Sequence, residues 1–259
     1  MRKGTITMRS AFSRLLTVFL LCFAPFPSAA ESPSVVAQKF PHTEGLEILC
    51  WVAPQDGKGY LSQIVIFQAD SDEPANVLWQ SHLDPAYSPE IRFVEEITAS
   101  GLPIALVERQ NGAATSQLDV VAKVSGRFQS LAQIDGFKFE VEHLDGSKLP
   151  FIIAHTDGNI LDVPVIYRWT GRRFVEDSAS HQAYYRQLLS EDKAKLPPNS
   201  SGIVLVNLSK VALLSGNRLE ARTILNDALS RERSKGDAAN KETLRDIREA
   251  LRSLERGPR

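Results

Sequence analysis

Phe139-Glu140-Val141-Glu142-His143-Leu144-Asp145-Gly146-Ser147-Lys148-Leu149-Pro150-Phe151-Ile152-Ile153-Ala154 reads as two strands around a turn. The stretch Phe137 to Val141 alternates apolar and polar residues, as an antiparallel strand with one wet face does. Pro150 to Ala154 is continuously apolar, as a central strand is. The pattern occurs again upstream, in Phe93-Val94-Glu95-Glu96-Ile97 followed by Gly101-Leu102-Pro103-Ile104-Ala105-Leu106, and the two Leu-Pro pairs lie 47 residues apart.

Working outward, each copy is followed by a strand, a tight turn and a strand. Asp119-Val120-Val121-Ala122-Lys123-Val124-Ser125-Gly126-Arg127-Phe128 matches Pro164-Val165-Ile166-Tyr167-Arg168-Trp169-Thr170-Gly171-Arg172-Arg173-Phe174, with the glycines 45 residues apart. A weaker first copy runs through Val35 to Phe40, Gly45 to Leu49, Ile64 to Phe67 and Val77 to Trp79, with an acidic turn at Asp70 to Pro74. The reading is three units of four strands each, between residues 34 and 177. Units of this size are blade-like.

These units resemble degenerate FG-GAP repeats of the integrin-type β-propeller. In that family an aspartate-rich, glycine-containing loop between the first two strands can bind calcium. Here His143 to Pro150 keeps one aspartate and the glycine, and Thr98 to Pro103 keeps no acid. Calcium takes six to eight oxygen ligands, so these loops make poor cages, and no metal or cofactor is expected. Three blades are too few to close a propeller, which leaves an open curved stack or a sandwich.

After Asp177 the period changes. His181, Tyr184, Tyr185, Leu188 and Leu189 form one helical stripe, ended by Pro197-Pro198. Ile203 to Ser215, Leu219 to Arg231 and Lys241 to Arg256 read as three more helices. In the middle pair, Leu208, Ser209, Gly216, Ala221, Leu225 and Ala228 fall at the spacing of a tetratricopeptide repeat, which that hairpin resembles. Ala212 stands where the family carries a large aromatic, and no proline closes the unit; a generic helical hairpin is the alternative. The family receives extended peptides along the first helix. The resemblance therefore implies a protein partner at Asn207 and Lys210, which are otherwise two solvated helix residues.

The fold class expected is α+β, an antiparallel β-repeat domain over 31–177 followed by a helical tail over 178–259. Residues 1–30 read as a secretory signal: Arg2, Lys3, Arg9 and Arg14 precede the apolar run Leu15 to Ala24, and Ser28, Ala29 and Ala30 offer a small-x-small cleavage site. The apolar run is far shorter than a membrane span. A soluble periplasmic or extracellular protein is the expectation, with 26 basic and 31 acidic residues after cleavage. Its one cysteine, Cys50, reads as a buried inert thiol that cannot form an intramolecular disulfide.

Residues 31–177 carry a net charge of −10 and residues 178–259 carry +5, so the halves are of opposite sign. The basic residues of the tail are interleaved with acids, as on a solvated helix face. An exported, net acidic chain is a poor candidate for nucleic acid.

Chemistry leaves little trace. There is no Gly-x-Ser-x-Gly, no His-Glu-x-x-His and no phosphate loop. His155 with Asp157, and His143 with Asp145, are the pairs that strand geometry could bring together. Trp51, Trp79 and Trp169 fall in strands and read as core. The sequence therefore points to a non-catalytic exported binding or scaffold protein. The alternative is an envelope hydrolase or carbohydrate-processing protein with carboxylates at Asp145, Asp157 and Asp162, which needs two of them facing one cleft.

Overall fold

The computed structural model describes residues 34–55, 59–69, 76–94, 104–112, 115–156, 161–236 and 239–256. The signal segment, the acidic turn at 70–74, the Thr98 to Pro103 turn and Asp157 lie outside them.

Three antiparallel sheets precede four helices. The first sheet is a meander of β1 (Ser34–Lys39), β2 (Leu46–Gln55), β3 (Gly59–Gln68) and β4 (Asn76–Gln80), with the short β5 (Asp84–Pro85) also on β3. The second is β6 (Tyr87–Val94), β7 (Ile104–Gly112), β8 (Thr115–Val124) and β9 (Arg127–Gly136). The third is β10 (Lys138–Glu142), β11 (Phe151–His155), β12 (Val165–Trp169) and β13 (Phe174–Glu176). Among the described residues no sheet closes into a barrel. Apart from β5, each strand within a sheet neighbours the next in sequence, so the chain forms three successive four-stranded meanders.

The repeat glycines earn their positions. Gly126 and Gly171, which the sequence aligns, both adopt the left-handed region, at φ +81° and +89°. An L side chain is strained there, and glycine is not.

The chain divides into two compact units after Ile134. In the first unit the side chains of β2 and β3 are buried on both faces. Ile48, Cys50, Ile64 and Ile66 pack against Ile91, Ala105, Val107 and Val121 of the second sheet, while Leu49, Trp51, Val65 and Phe67 cluster on the opposite face. That double burial explains why Ile48 to Ala53 reads as a continuous apolar run instead of an alternating one. Each buried Ile, Leu, Val or Phe among them contributes about 1.5–3 kcal/mol.

In the second unit, Phe151, Ile153 and Ile166 of the third sheet share one core with Tyr185, Leu189, Leu205, Leu208, Leu225 and Ile247 of the helices. The change from strands to helices falls at Asp177, as the sequence has it. The compact units divide earlier because the third sheet buries its apolar face under the helices.

The helices are α1 (Gln182–Lys195), α2 (Gly202–Leu214), α3 (Arg218–Ser234) and α4 (Lys241–Arg256). The α2–α3 turn is specified locally. Gly216, at φ +84°, lets Asn217 N donate to Ala212 O at 2.9 Å and Gly216 N donate to Leu213 O at 3.0 Å, a Schellman closure. Asn217 then caps α3 through Oδ1, which accepts from Glu220 N at 3.1 Å, while its Nδ2 donates to Glu220 Oε2 at 2.6 Å. The small Ala212, Ala221 and Ala228 are fully buried where the two helices meet.

Candidate functional site

The third sheet pairs Lys138 with His155, Phe139 with Ala154 and Glu140 with Ile153. Paired residues share a face, so Lys138, Glu140 and His155 stand on the same side as Phe151 and Ile153, which pack under the helices. His155, ending β11, puts Nδ1 2.6 Å from Asp162 Oδ2 and Nε2 3.4 Å from Glu140 Oε2. Asp162 Oδ1 accepts from Thr156 N at 2.9 Å and from Thr156 Oγ1 at 3.1 Å. The Asp162 hydrogen bond raises His155 above its ordinary 6.5 against the opposing effect of burial, and Glu140 adds to the rise. Burial pushes Asp162 upward, but the bonds from His155 and Thr156 prevail and hold it below the usual carboxylate range. Glu140 is lowered first by its bond from Lys138, then by His155.

A second histidine is held the same way. His181, immediately before α1, places Nδ1 2.7 Å from Asp145 Oδ2 and Nε2 3.6 Å from Asp177 Oδ2, with its ring edge-on to Phe151 at 4.5 Å. Asp145 reaches it from a tight turn. There Asp145 and Gly146 are both left-handed, at φ +52° and +70°, and Ser147 N donates to Leu144 O at 2.9 Å. Asp177 also accepts from Arg168 Nε at 2.8 Å and from Ser180 Oγ at 2.8 Å.

Two carboxylates of the hydrolase reading, Asp145 and Asp162, are thus each engaged by a different imidazole. A histidine acting as general base needs a free ring nitrogen facing substrate. In His155 and in His181 Nδ1 is bonded to a carboxylate and Nε2 is buried without a hydrogen-bond partner, so neither ring turns a nitrogen to solvent. Among the described residues no group of three or more His, Cys, Asp or Glu side chains is arranged to hold a metal ion.

Asn207 and Lys210 lie on α2. Asn207 is half-buried and its Nδ2 donates to Leu161 O at 3.2 Å, tying α2 to the segment before β12. Lys210 is exposed, with Nζ 3.5 Å from Asn207 Oδ1. Trp51 and Trp169 are buried, Trp169 against Phe174 with centroids 5.3 Å apart, and Trp79 packs on the core between the first two sheets.

Comparison with protein-family models, with curated proteins and with solved structures finds no match. No helix among the described residues is long and apolar enough to cross a membrane.

Among the described residues four buried charged groups escape the sequence reading, Arg109 with its partner Asp119, Glu232 and Asp192. Arg109 on β7 is 0% exposed and binds Asp119, Ser62, Asp84 and Gln117. Glu232 on α3 is buried beside Gly202 and Thr243. Asp192 on α1 is 6% exposed, and its Oδ2 is buried without a hydrogen-bond partner. Parity offers a signal for the first: Arg109 falls in the row of Ala105 and Val107, and Asp119 in the row of Val121, all on the face turned to the first sheet.

Proposed function

We propose that this chain is an exported, non-catalytic binding or scaffold protein that engages another protein through its helical hairpin. The observation that carries the reading is apolar exposure around one tight turn. Leu213, in the last turn of α2, is 46% exposed, and Leu219, in the first turn of α3, is 78% exposed. Ile203, at the start of α2, is 47% exposed. Isolated exposed leucines are ordinary; we read these two, which flank a single rigid turn, as an apolar knob that a partner covers. The turn is fixed by the Schellman closure and by the Asn217 cap, so the knob is presented with little ordering cost.

The intramolecular engagement of His155, His181, Asp145 and Asp162 favours binding over hydrolysis. Export rests on the composition of residues 1–30. The test is site-specific photocrosslinking from position 219 in the envelope of a producing cell, with position 253 on α4 as the control. The reading expects one discrete adduct from 219, none from 253, and loss of the adduct in the Leu213→Asp variant. Absence of an adduct at 219 would overturn it.

A further inference from the structure

The edges of the three sheets are not alike. Among the described residues β1, β4, β5, β6, β9, β10 and β13 each have a sheet neighbour on one side only. Five of these are short: β1, β4, β5, β10 and β13 have six, five, two, five and three residues. β6 is longer but carries Pro89 and a register shift between Tyr87 and Glu90. Short strands, prolines and bulges are what keep a sheet edge from pairing with another chain. β9 has none of them. It runs ten residues, Arg127–Gly136, without lysine or proline, and Arg127, Gln129, Ser130, Gln133 and Asp135 are exposed.

The hairpin fixes which backbone groups face outward. β8 and β9 have ten residues each and flank a two-residue turn, Ser125-Gly126, left-handed at φ +51° and +81°. In such a hairpin the residues next to the turn bond each other, and every second residue does the same along the ladder. Arg127, Gln129, Leu131, Gln133 and Asp135 therefore direct their N–H and C=O to β8. Phe128, Ser130, Ala132 and Ile134 turn theirs outward, where Ser130 Oγ reaches Ala132 O at 3.4 Å, a long bond that a backbone N–H would displace.

This edge is complementary to itself. With a second copy laid antiparallel about Leu131, Arg127 stands opposite Asp135, Phe128 opposite Ile134, Gln129 opposite Gln133 and Ser130 opposite Ala132. Opposite charges meet at both ends, and the outward backbone groups fall in register to exchange N–H and C=O. A slip of two residues either way sets Arg127 against Gln133 or Asp135 against Gln129 and removes both ion pairs, so the charges select one register.

We propose that β9 is the contact through which two copies of this chain pair, antiparallel about a two-fold axis at Leu131, so that two second sheets become one continuous sheet. The same strand serves both copies, so the contact closes on itself and association stops at the dimer. It does not involve the helical hairpin.

The experiment is sedimentation equilibrium of the full chain over a dilution series, with circular dichroism checking that each variant is folded as the parent is. The parent should follow a monomer–dimer equilibrium. Arg127→Asp sets two acids opposite each other at both ends and Asp135→Arg sets two bases there, so each variant alone should dimerise at least about tenfold more weakly. Mixed in equal amounts, the two variants restore opposite charges at both ends, and the mixture should regain the parent's dimer. Ser130→Pro deletes an outward donor without touching the bonds to β8 and should be monomeric. A parent that stays monomeric up to about 1 mM, the weak end of specific association, overturns the proposal. So do charge variants that each dimerise as tightly as the parent, a mixture that dimerises no better than either alone, or a folded Ser130→Pro variant that dimerises like the parent.

Discussion

Arg109 Nε donates to Asp119 Oδ2 at 2.9 Å across neighbouring strands of the second sheet, and the rest of the guanidinium reaches Ser62 Oγ at 2.8 Å and Asp84 Oδ2 at 3.0 Å on the first. One fully buried cation thus staples two sheets that hold no disulfide among the described residues. Its fork supplies several donors in fixed directions, which an ammonium cannot copy. Removing one partner of a buried pair strands the other in a low dielectric. Arg109→Met should therefore destabilise the protein by about 3–5 kcal/mol in urea unfolding. Arg109→Lys should recover only part of that loss. A Met variant within about 1 kcal/mol of the parent would show that the staple contributes little, given that surface substitutions typically change stability by no more than ~0.5 kcal/mol.

Cys50 shares this core. Burial pushes its thiol up to about 12, with Arg109 opposing the rise and Asp119 adding to it. Alkylation needs the thiolate. At pH 8.5 the native protein should resist iodoacetamide, and labelling should track unfolding in a urea series. Rapid labelling without urea would contradict the burial.

Gly202 opens α2 where there is no room for a side chain. A Cβ there would sit 2.7 Å from Thr243 Cγ2 and 2.9 Å from Glu232 Cγ. Gly202→Ala should cost about 1–3 kcal/mol by overpacking, although alanine is the better helix former. Glu232 ties α3 to the starts of α2 and α4: its carboxylate accepts from the Gly202 backbone N–H, its Oε2 accepts from Asn240 N at 3.4 Å, and its Oε1 accepts from Lys235 Nζ at 2.5 Å at the end of its own helix. The Lys235 bond leads in lowering its carboxyl below the ordinary 4.5. A depressed folded value contributes stability above the unfolded value and loses it as pH falls through the folded one. Glu232→Gln should therefore be less stable than the parent at pH 7, and urea midpoints should converge below pH 4.5. Equal midpoints at both pH values would remove Glu232 from the account.

What was legible in the sequence is what local chemistry specifies. The repeat glycines Gly126 and Gly171 mark turns that need a positive φ, and Gly216 and Asn217 write a helix stop and start into adjacent residues. Strand parity placed the apolar rows. The polar contacts were harder to read, because they join residues far apart in the chain. Asp145 meets His181 at a separation of 36 residues, and Arg109 meets Ser62 at 47. An arginine in a strand reads as solvent-facing by default, so Arg109 gave no alarm until Asp84 and Asp119 stood beside it. The boundary at Asp177 was visible because periodicity changes there. Packing of strands against the helices was expected, but that the third sheet is the one that docks there was not, since an apolar face does not name the surface that covers it.

Asp192 gives the prediction with the least expected sign. It falls on the inward row of α1 with Tyr185 and Leu189, near the C-terminal end, where the helix dipole disfavours a negative charge. Burial lifts its carboxyl from 3.8 to about 6; Lys195 opposes this, and Glu191 and Asp162 reinforce it. The folded protein therefore holds a proton there that the unfolded chain releases. The stabilisation is complete below 3.8 and is lost as pH rises through about 6, so at pH 7.5 the native state carries a buried charge without a hydrogen bond to Oδ2. A two-unit shift is worth at most about 3 kcal/mol. Asp192→Asn keeps the shape and removes the charge. The variant should be about 1–3 kcal/mol more stable than the parent at pH 7.5, and the advantage should vanish at pH 4. Urea unfolding at the two pH values measures both numbers. A variant less stable than the parent at pH 7.5 would mean that the charged form of Asp192 is satisfied in the native protein.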